Sequence, residues 1–345
     1  MNRVLRFISL SLLALVMAGC TERPPQEIHL QGATMGTSYN IKFASDTSID
    51  PQVIHQRIDA ALIRVNELMS TYDPNSELSR LNQHRSNKPF ALSGETLLVL
   101  REAVRLSKIS NGALDVTIGP VVNLWGFGPT QRPEVIPSDE LITETLAITG
   151  ISKIVLADDS IIKNEPNLYI DLSTIAKGYG VDVVAELLIA AGITEYLVEI
   201  GGEMRVAGNK VTGVPWRIAI EMPVSTERAV QSVIEIGDNA IATSGDYRNY
   251  YEQGGVRYSH LINPVTGKPI QHNLVSVSVI HPSAMTADGL ATALIVLGTA
   301  EAQALAELNN IAVVLISKVG DEFVEWTSTA FDQRINVVNP QQLGN

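Results

Sequence analysis

A single cysteine, Cys20, serves all 345 residues. No disulfide can therefore form within the chain, and whatever it folds into must be held by buried side chains and hydrogen bonds. The composition supplies the means: 45% of residues are hydrophobic and 18% are charged, the balance of a globular protein rather than of a disordered or low-complexity one. Lys and Arg number 25 against 37 Asp and Glu, a formal net charge of −12, which excludes a nucleic-acid protein held by a general basic surface.

The place of Cys20 is as informative as its isolation. Arg3 and Arg6 precede an apolar run from Phe7 to Met17, followed by Ala18 and Gly19. This is the pattern of a cleaved secretory signal over residues 1–19, and its run is far shorter than the roughly 20 residues of a membrane-spanning helix. LVMAGC resembles a bacterial lipoprotein signal, in which the cysteine is acylated, palmitate included, and becomes the mature N-terminus. On this reading Cys20 is lipidated and residues 20–27, polar with two prolines, form a short tether. The alternative is a soluble secreted protein with an incidental cysteine. The expected location is the periplasmic face of a bacterial membrane, the inner membrane favoured over the outer. Removing the signal leaves (25 − 2) − 37 = −14, so lipid rather than charge would hold the body there.

The body, residues 28–338, mixes strand and helix patterns without sustained alternation or repeats. That favours an α+β fold, with mixed or antiparallel sheets and flanking helices, as one domain with two lobes. Asp50 and Pro51 read as the cap and first residue of a helix reaching Met69, with Ile54, Ile58, Ala61, Leu62, Val65, Leu68 and Met69 on one face. A second helix is expected over Gly94–Ile109, ended by Asn111 and Gly112. STYDPNSELSRLN breaks the pattern, GALDVTIGPVVNLWGFG reads as loop, and ISKIVLA and LYID read as strands. DLSTIAKGYGVD reads as strand end, turn and helix, and TADGLATALIVLG as a helix. The tail from Phe331 is polar and carries no signal.

Three constellations can carry chemistry. The six histidines are scattered, at 29, 55, 84, 260, 272 and 281, so a metal would have to be hard and oxygen-bound. Asp288 and Thr292, four apart on a helix, present a carboxylate and a hydroxyl on one face, which suits Mg²⁺. Taken alone, the same stretch is also a helix start capped by Thr286. In DLSTIAKGYG, Asp171, Ser173 and Thr174 stand at a helix start with Lys177 one turn on, where amides and an ammonium can meet a phosphate; a plain capped helix is the alternative. His260, at a strand end before an Asn263–Pro264 turn, can act as a base near neutral pH or simply sit beside a hairpin. EIGGE is a glycine pair of the kind found in tight turns, and Ser244 lacks the elbow a serine hydrolase needs.

In their order, ATMGTSY, STYDPNSELSRLN, GALDVTIGP, DLSTIAKGYGVD, EIGGE, TSGDYRNY, YSHLINPVTGKP and TADGLATALIVLG resemble the ApbE family of FAD:protein FMN transferases, over roughly residues 30 to 330. The resemblance implies a T-fold-related domain. It also implies an enzyme that binds FAD as substrate with Mg²⁺, splits the pyrophosphate, releases AMP and joins FMN through a phosphoester to a threonine of an acceptor protein, such as an extracytoplasmic subunit of a membrane redox complex. By matching motifs, Met35, Tyr72, Ala113, Leu114, Asp115, Asp171, Lys177 and Ile262 are implied FAD contacts. Thr174, Asp288 and Thr292 are implied as the metal site. The acceptor threonine needs a base in the transition state, and His260 is the candidate, with Asp288 catalytic chiefly as a metal ligand. An FAD pyrophosphatase releasing free FMN, and a flavin-binding lipoprotein without turnover, remain the competing readings.

Overall fold

The computed structural model describes residues 26–45, 49–128, 135–224, 230–246 and 249–338. The signal, Cys20 and most of the tether lie outside the described residues. The strands are β1 (Gln26–Thr34), β2 (Thr37–Ser45), β3 (Phe90–Ala91), β4 (Ile154–Leu156), β5 (Ser160–Lys163), β6 (Tyr196–Ile200), β7 (Glu203–Ala207), β8 (Ile218–Glu221), β9 (Val230–Glu235), β10 (Ala240–Gly245), β11 (Tyr250–Gln253), β12 (Val256–Ser259), β13 (Ile262–Asn263), β14 (Lys268–Pro269), β15 (Leu274–His281), β16 (Ala312–Val319), β17 (Glu322–Thr327) and β18 (Asn336–Val337). The helices are α1 (Pro51–Met69), α2 (Glu77–Gln83), α3 (Gly94–Ile109), α4 (Gly119–Leu124), α5 (Asp139–Leu146), α6 (Ala176–Ala190), α7 (Ala284–Leu297), α8 (Thr299–Leu308) and α9 (Thr329–Arg334).

An eight-stranded antiparallel sheet, in the order β1-β2-β6-β7-β10-β15-β16-β17, is the frame. Its alternating side chains feed two of the apolar clusters. Ile41, Phe43, Val198 and Ile200 pack with Ile58 and Leu62 of α1 and with Val181, Val184 and Leu188 of α6. Val206, Ile241, Ile280 and Val314 pack instead with Trp216, Ile218 and Ile234 around the small sheet β18-β9-β8. The α+β class and antiparallel pairing stand as the sequence implies.

Local signals explain the elements that lie near the site. Asp50 accepts the amide of Gln52 and Pro51 opens α1, and the residues expected on its apolar face are buried except Ala61, which is half-buried at the edge of that face. Asn111 and Gly112 leave α3 with positive φ, as its stop signal requires. The glycine pair of EIGGE does form the turn between β6 and β7, with Gly201 and Gly202 both at positive φ.

Three sequence expectations are corrected, and one segment that the sequence left open is given a structure. STYDPNSELSRLN is not merely a break: Ser76 caps α2 by accepting the amide of Ser79. GALDVTIGPVVNLWGFG contains α4, whose proline sits in the first turn. LYID joins no sheet among the described residues, because side chains rather than a strand meet its backbone. The tail from Phe331 is structured over its described part, as far as Val338, with Phe331 buried and β18 paired to β9.

Candidate active site

The site forms where α6 and α7 cross. Gly178 allows the approach, since a Cβ there would stand 2.3 Å from the carbonyl oxygen of Ala284. At this crossing the Gly178 N–H donates to Oδ2 of Asp288 at 2.9 Å. Asp182, one turn further along α6, accepts from the Ser283 hydroxyl at 2.7 Å and from the amides of Ala284 and Met285 at 3.0 Å each, so it serves the start of α7 across the helix pair. Arg205 of β7 donates to the same carboxylate at 3.0 Å, locking both helices to the sheet. The cap within α7 itself is Ser283, not Thr286 as the sequence suggested; the Thr286 hydroxyl donates instead to Glu102 of α3 at 2.7 Å.

A cavity of about 1330 Å³ opens beside this crossing. Among its lining residues are Tyr72, Ala113, Leu114, Asp115, Asp171, Thr174, Lys177, His260, Ile262, Asp288 and Thr292, so the sequence candidates converge on one place. Met35 is the exception. It holds a positive φ in the β1–β2 turn and packs partly buried over Gly180, while its neighbours Gly36 and Thr37 line the cavity. Tyr72 stands 72% exposed at the rim, a free aromatic face. Asp115 accepts both the amide and the hydroxyl of Thr117, which fixes its turn.

Electrostatically the centre is a trio. Lys177, in the first turn of α6, reaches Glu203 Oε1 at 2.5 Å and Asp288 Oδ1 at 4.0 Å. Burial opposes its charge, but the two carboxylates outweigh this and hold Lys177 above the ordinary lysine range. Burial raises both Asp288 and Glu203, against the pull of Lys177. One ammonium faces two acids, so the trio is one positive charge short when both ionise. Glu203 was missed in the sequence, where EIGGE gave only its glycines; a carboxylate opening a strand straight after a double-glycine turn was the available signal.

Whether a hard cation fits can be judged from the oxygens. Thr174 Oγ1 is buried without a hydrogen-bond partner, and so is Glu203 Oε2. Thr292 lies one helical turn from Asp288 and meets Ser244 Oγ at 3.3 Å. Among the described residues no three His, Cys, Asp or Glu gather around a common point. A cation here would have to take hydroxyl, single-carboxylate and substrate oxygens, the donor set Mg²⁺ accepts. The residues fit.

His260 lines the same cavity from a different element. It follows β12, and both its N–H and its ring Nδ1 lie on the carbonyl oxygen of Asn249, at 3.1 and 3.0 Å. A carbonyl only accepts, so Nδ1 carries the proton and Nε2 is left free as a base. Phe127 meets the ring edge-on at 6.3 Å, within a stack that includes Trp125, Tyr251 and Tyr258. Burial in this wall pulls the His260 pKa below the ordinary histidine value, so the ring is neutral at physiological pH.

Comparison with known proteins agrees with this geometry. The family model described as the ApbE family matches residues 35–315. A Vibrio cholerae protein named FAD:protein FMN transferase is 55% identical over 92% of this chain and 95% of its own length, and a Haemophilus influenzae protein of the same name is 48% identical over 96% and 98%. The solved structure titled flavin transferase ApbE from Vibrio cholerae superposes with a TM-score of 0.85 at 54% identity, covering 90% of this chain and all of that one. With its fold, its cavity and these likenesses in accord, the chain is an enzyme of the transferase class and belongs to the ApbE family.

Proposed function

We propose that this enzyme splits FAD and attaches FMN to a threonine hydroxyl of an acceptor protein, releasing AMP, with Mg²⁺ as cofactor. The observation that carries the reading is the convergence of oxygen donors, an ammonium and a neutral histidine on one cavity. Thr174, Asp288 and Thr292 would hold the metal, which supplies charge neutralisation to the pyrophosphate oxygens. Lys177 adds a fixed positive charge, and Glu203 keeps its ammonium in place. Nε2 of His260 takes the proton of the threonine hydroxyl. The hydroxyl oxygen forms a bond to the FMN phosphorus as the bridging phosphorus–oxygen bond breaks, and AMP leaves with that electron pair. Tyr72, Ala113, Leu114, Asp115, Asp171 and Ile262 bound the volume in which FAD would lie.

We further propose that the enzyme works from the periplasmic face of a bacterial membrane, anchored through Cys20 after loss of residues 1–19, on extracytoplasmic redox subunits. Residues 28–338 would be the catalytic domain. Among the described residues no helix is long and apolar enough to cross a membrane.

The test mixes the protein with FAD, Mg²⁺ and an acceptor domain bearing the target threonine, and follows AMP release together with in-gel flavin fluorescence of the acceptor. Both signals should rise in step. AMP without labelling would mean that water replaces threonine, as in a pyrophosphatase, and tight FAD binding with neither signal would mean a carrier.

A further inference from the structure

The segment Leu168–Ile170 immediately precedes Asp171 of the site, and its backbone is held by two side chains. The amide of Asn82, in the last turn of α2, meets Ile170 on both sides: Nδ2 donates to its carbonyl oxygen at 2.8 Å, and Oδ1 accepts its N–H at 2.8 Å. These are the two bonds a residue of a neighbouring strand would exchange. Lys163, at the end of β5, donates from Nζ to the carbonyl oxygens of Leu81 at 3.0 Å and Leu168 at 3.1 Å. Thus one lysine ties α2 and the segment together from below, and the next residue of α2 grips the segment directly. From the far side, the carbonyl oxygen of Val116 accepts the N–H of Asp171 at 2.8 Å, beside Asp115.

Beyond this grip the chain has little slack. Asp171 accepts the amide of Ser173 at 2.9 Å, and the Leu172 carbonyl oxygen accepts the amides of Ile175 and Ala176, which start α6. Ile170 and Leu172 are fully buried. Asp171, Thr174 and Lys177 therefore inherit their positions from the place at which Ile170 is held.

Lys163 is 1% exposed, and its pKa is lowered by that burial. An ammonium is an unfavourable group to bury when an apolar side chain of similar length would fill the same space. Its two carbonyl contacts give it a purpose that packing alone does not.

We infer that Asn82 and Lys163 are positioning residues of the flavin site: they fix the backbone before Asp171, and act on substrate binding through Asp171, Thr174 and Lys177. The inference rests on the flavin-transfer reading above, and its test separates the two. Asn82→Leu removes both bonds while keeping the number and branching of heavy atoms, Asn82→Asp keeps the acceptor and loses the donor, and Lys163→Met removes the ammonium. FAD affinity is read by flavin fluorescence quenching without acceptor, alongside amide hydrogen exchange of the wild type and each variant.

Asn82→Leu should weaken FAD binding about tenfold or more, as expected from two buried backbone groups left unpaired beside the site. Asn82→Asp and Lys163→Met should fall between it and wild type, with faster exchange confined to residues 168–177. If Asn82→Leu does not fold, the other two variants decide. Lower melting temperatures with unchanged FAD affinity would make both residues merely structural and overturn the inference, as would unchanged exchange over 168–177. Failure of the wild type to bind FAD would overturn the flavin reading, and this inference with it.

Discussion

The Gly178 N–H and the Asp288 carboxylate are 2.9 Å apart, and no side chain can be added at 178 without striking α7. The hydrogen bond and the missing Cβ are thus one requirement seen twice. Gly178→Ala should force the helices apart, at a stability cost of about 1–3 kcal/mol, and should cost transfer activity disproportionately because Asp288 moves with α7. Thermal unfolding and turnover on the same sample check this. A variant that is destabilised yet turns over normally would show that the spacing of the helices does not set the site.

Glu203 should matter as much as the residues that the motifs announce. Glu203→Gln keeps the shape but leaves Lys177 with Asp288 alone, at 4.0 Å. Transfer should fall by about tenfold or more, while circular dichroism stays as in wild type. Glu203→Asp, which retains the charge but shortens the reach, should recover part of the loss.

The pH response follows from histidines buried neutral. His260 and His281 are both held below the ordinary histidine value, chiefly by burial. As unfolded histidines protonate near 6.5, the unfolded chain takes up protons first on acidification. The stability these two residues contribute is complete above about pH 6.5 and is lost as pH falls from there through their lower folded values. Transfer should keep its base down to the same region and lose it below. His260→Asn should remove that acidic limb and slow transfer by roughly 10²–10⁴-fold, with FAD affinity little changed. A retained limb in the variant would assign it to another group.

Metal dependence should track Asp288 and the two threonines. Chelation should abolish transfer and Mg²⁺ should restore it, while Asp288→Ala should abolish it at any Mg²⁺ concentration. Thr174→Val, which removes a hydroxyl with no protein partner, should raise the Mg²⁺ needed for half-maximal rate without lowering the melting temperature. Titrating Mg²⁺ against AMP release measures both effects.

Much of this was legible in the sequence, and the exceptions have physical causes. The long helices α1 and α3 could be read because apolar periodicity over several turns agreed with one end signal each, Asp50 and Pro51 at the start of α1 and Asn111 and Gly112 at the end of α3, although Leu98, expected on the apolar face of α3, is exposed. Asp171, Thr174, Lys177, His260, Asp288 and Thr292 could be read because each sits in a distinctive motif, and the fold brings them to one cavity. Glu203 was passed over because its place after the double glycine marks only a strand start, whereas its partner Lys177 is 26 residues away and the contact runs between a sheet and a helix. LYID misled for a related reason: its buried alternation is that of a strand, but the groups that pair with it are side chains. Met35 stands apart in another way: its motif lines the cavity through Gly36 and Thr37, while its own side chain packs over Gly180.

The two walls of the cavity are attached to the protein in different ways. Lys177, Glu203 and Asp288 stand on long helices and on the eight-stranded sheet, whereas His260 follows a two-stranded hairpin whose open end is closed by its own bonds to Asn249. The ring therefore depends on two supports that the charged groups do not share, the Asn249 carbonyl at the mouth of the hairpin and the aromatic stack through Phe127, and a change in either would turn the histidine while Lys177, Glu203 and Asp288 keep their geometry.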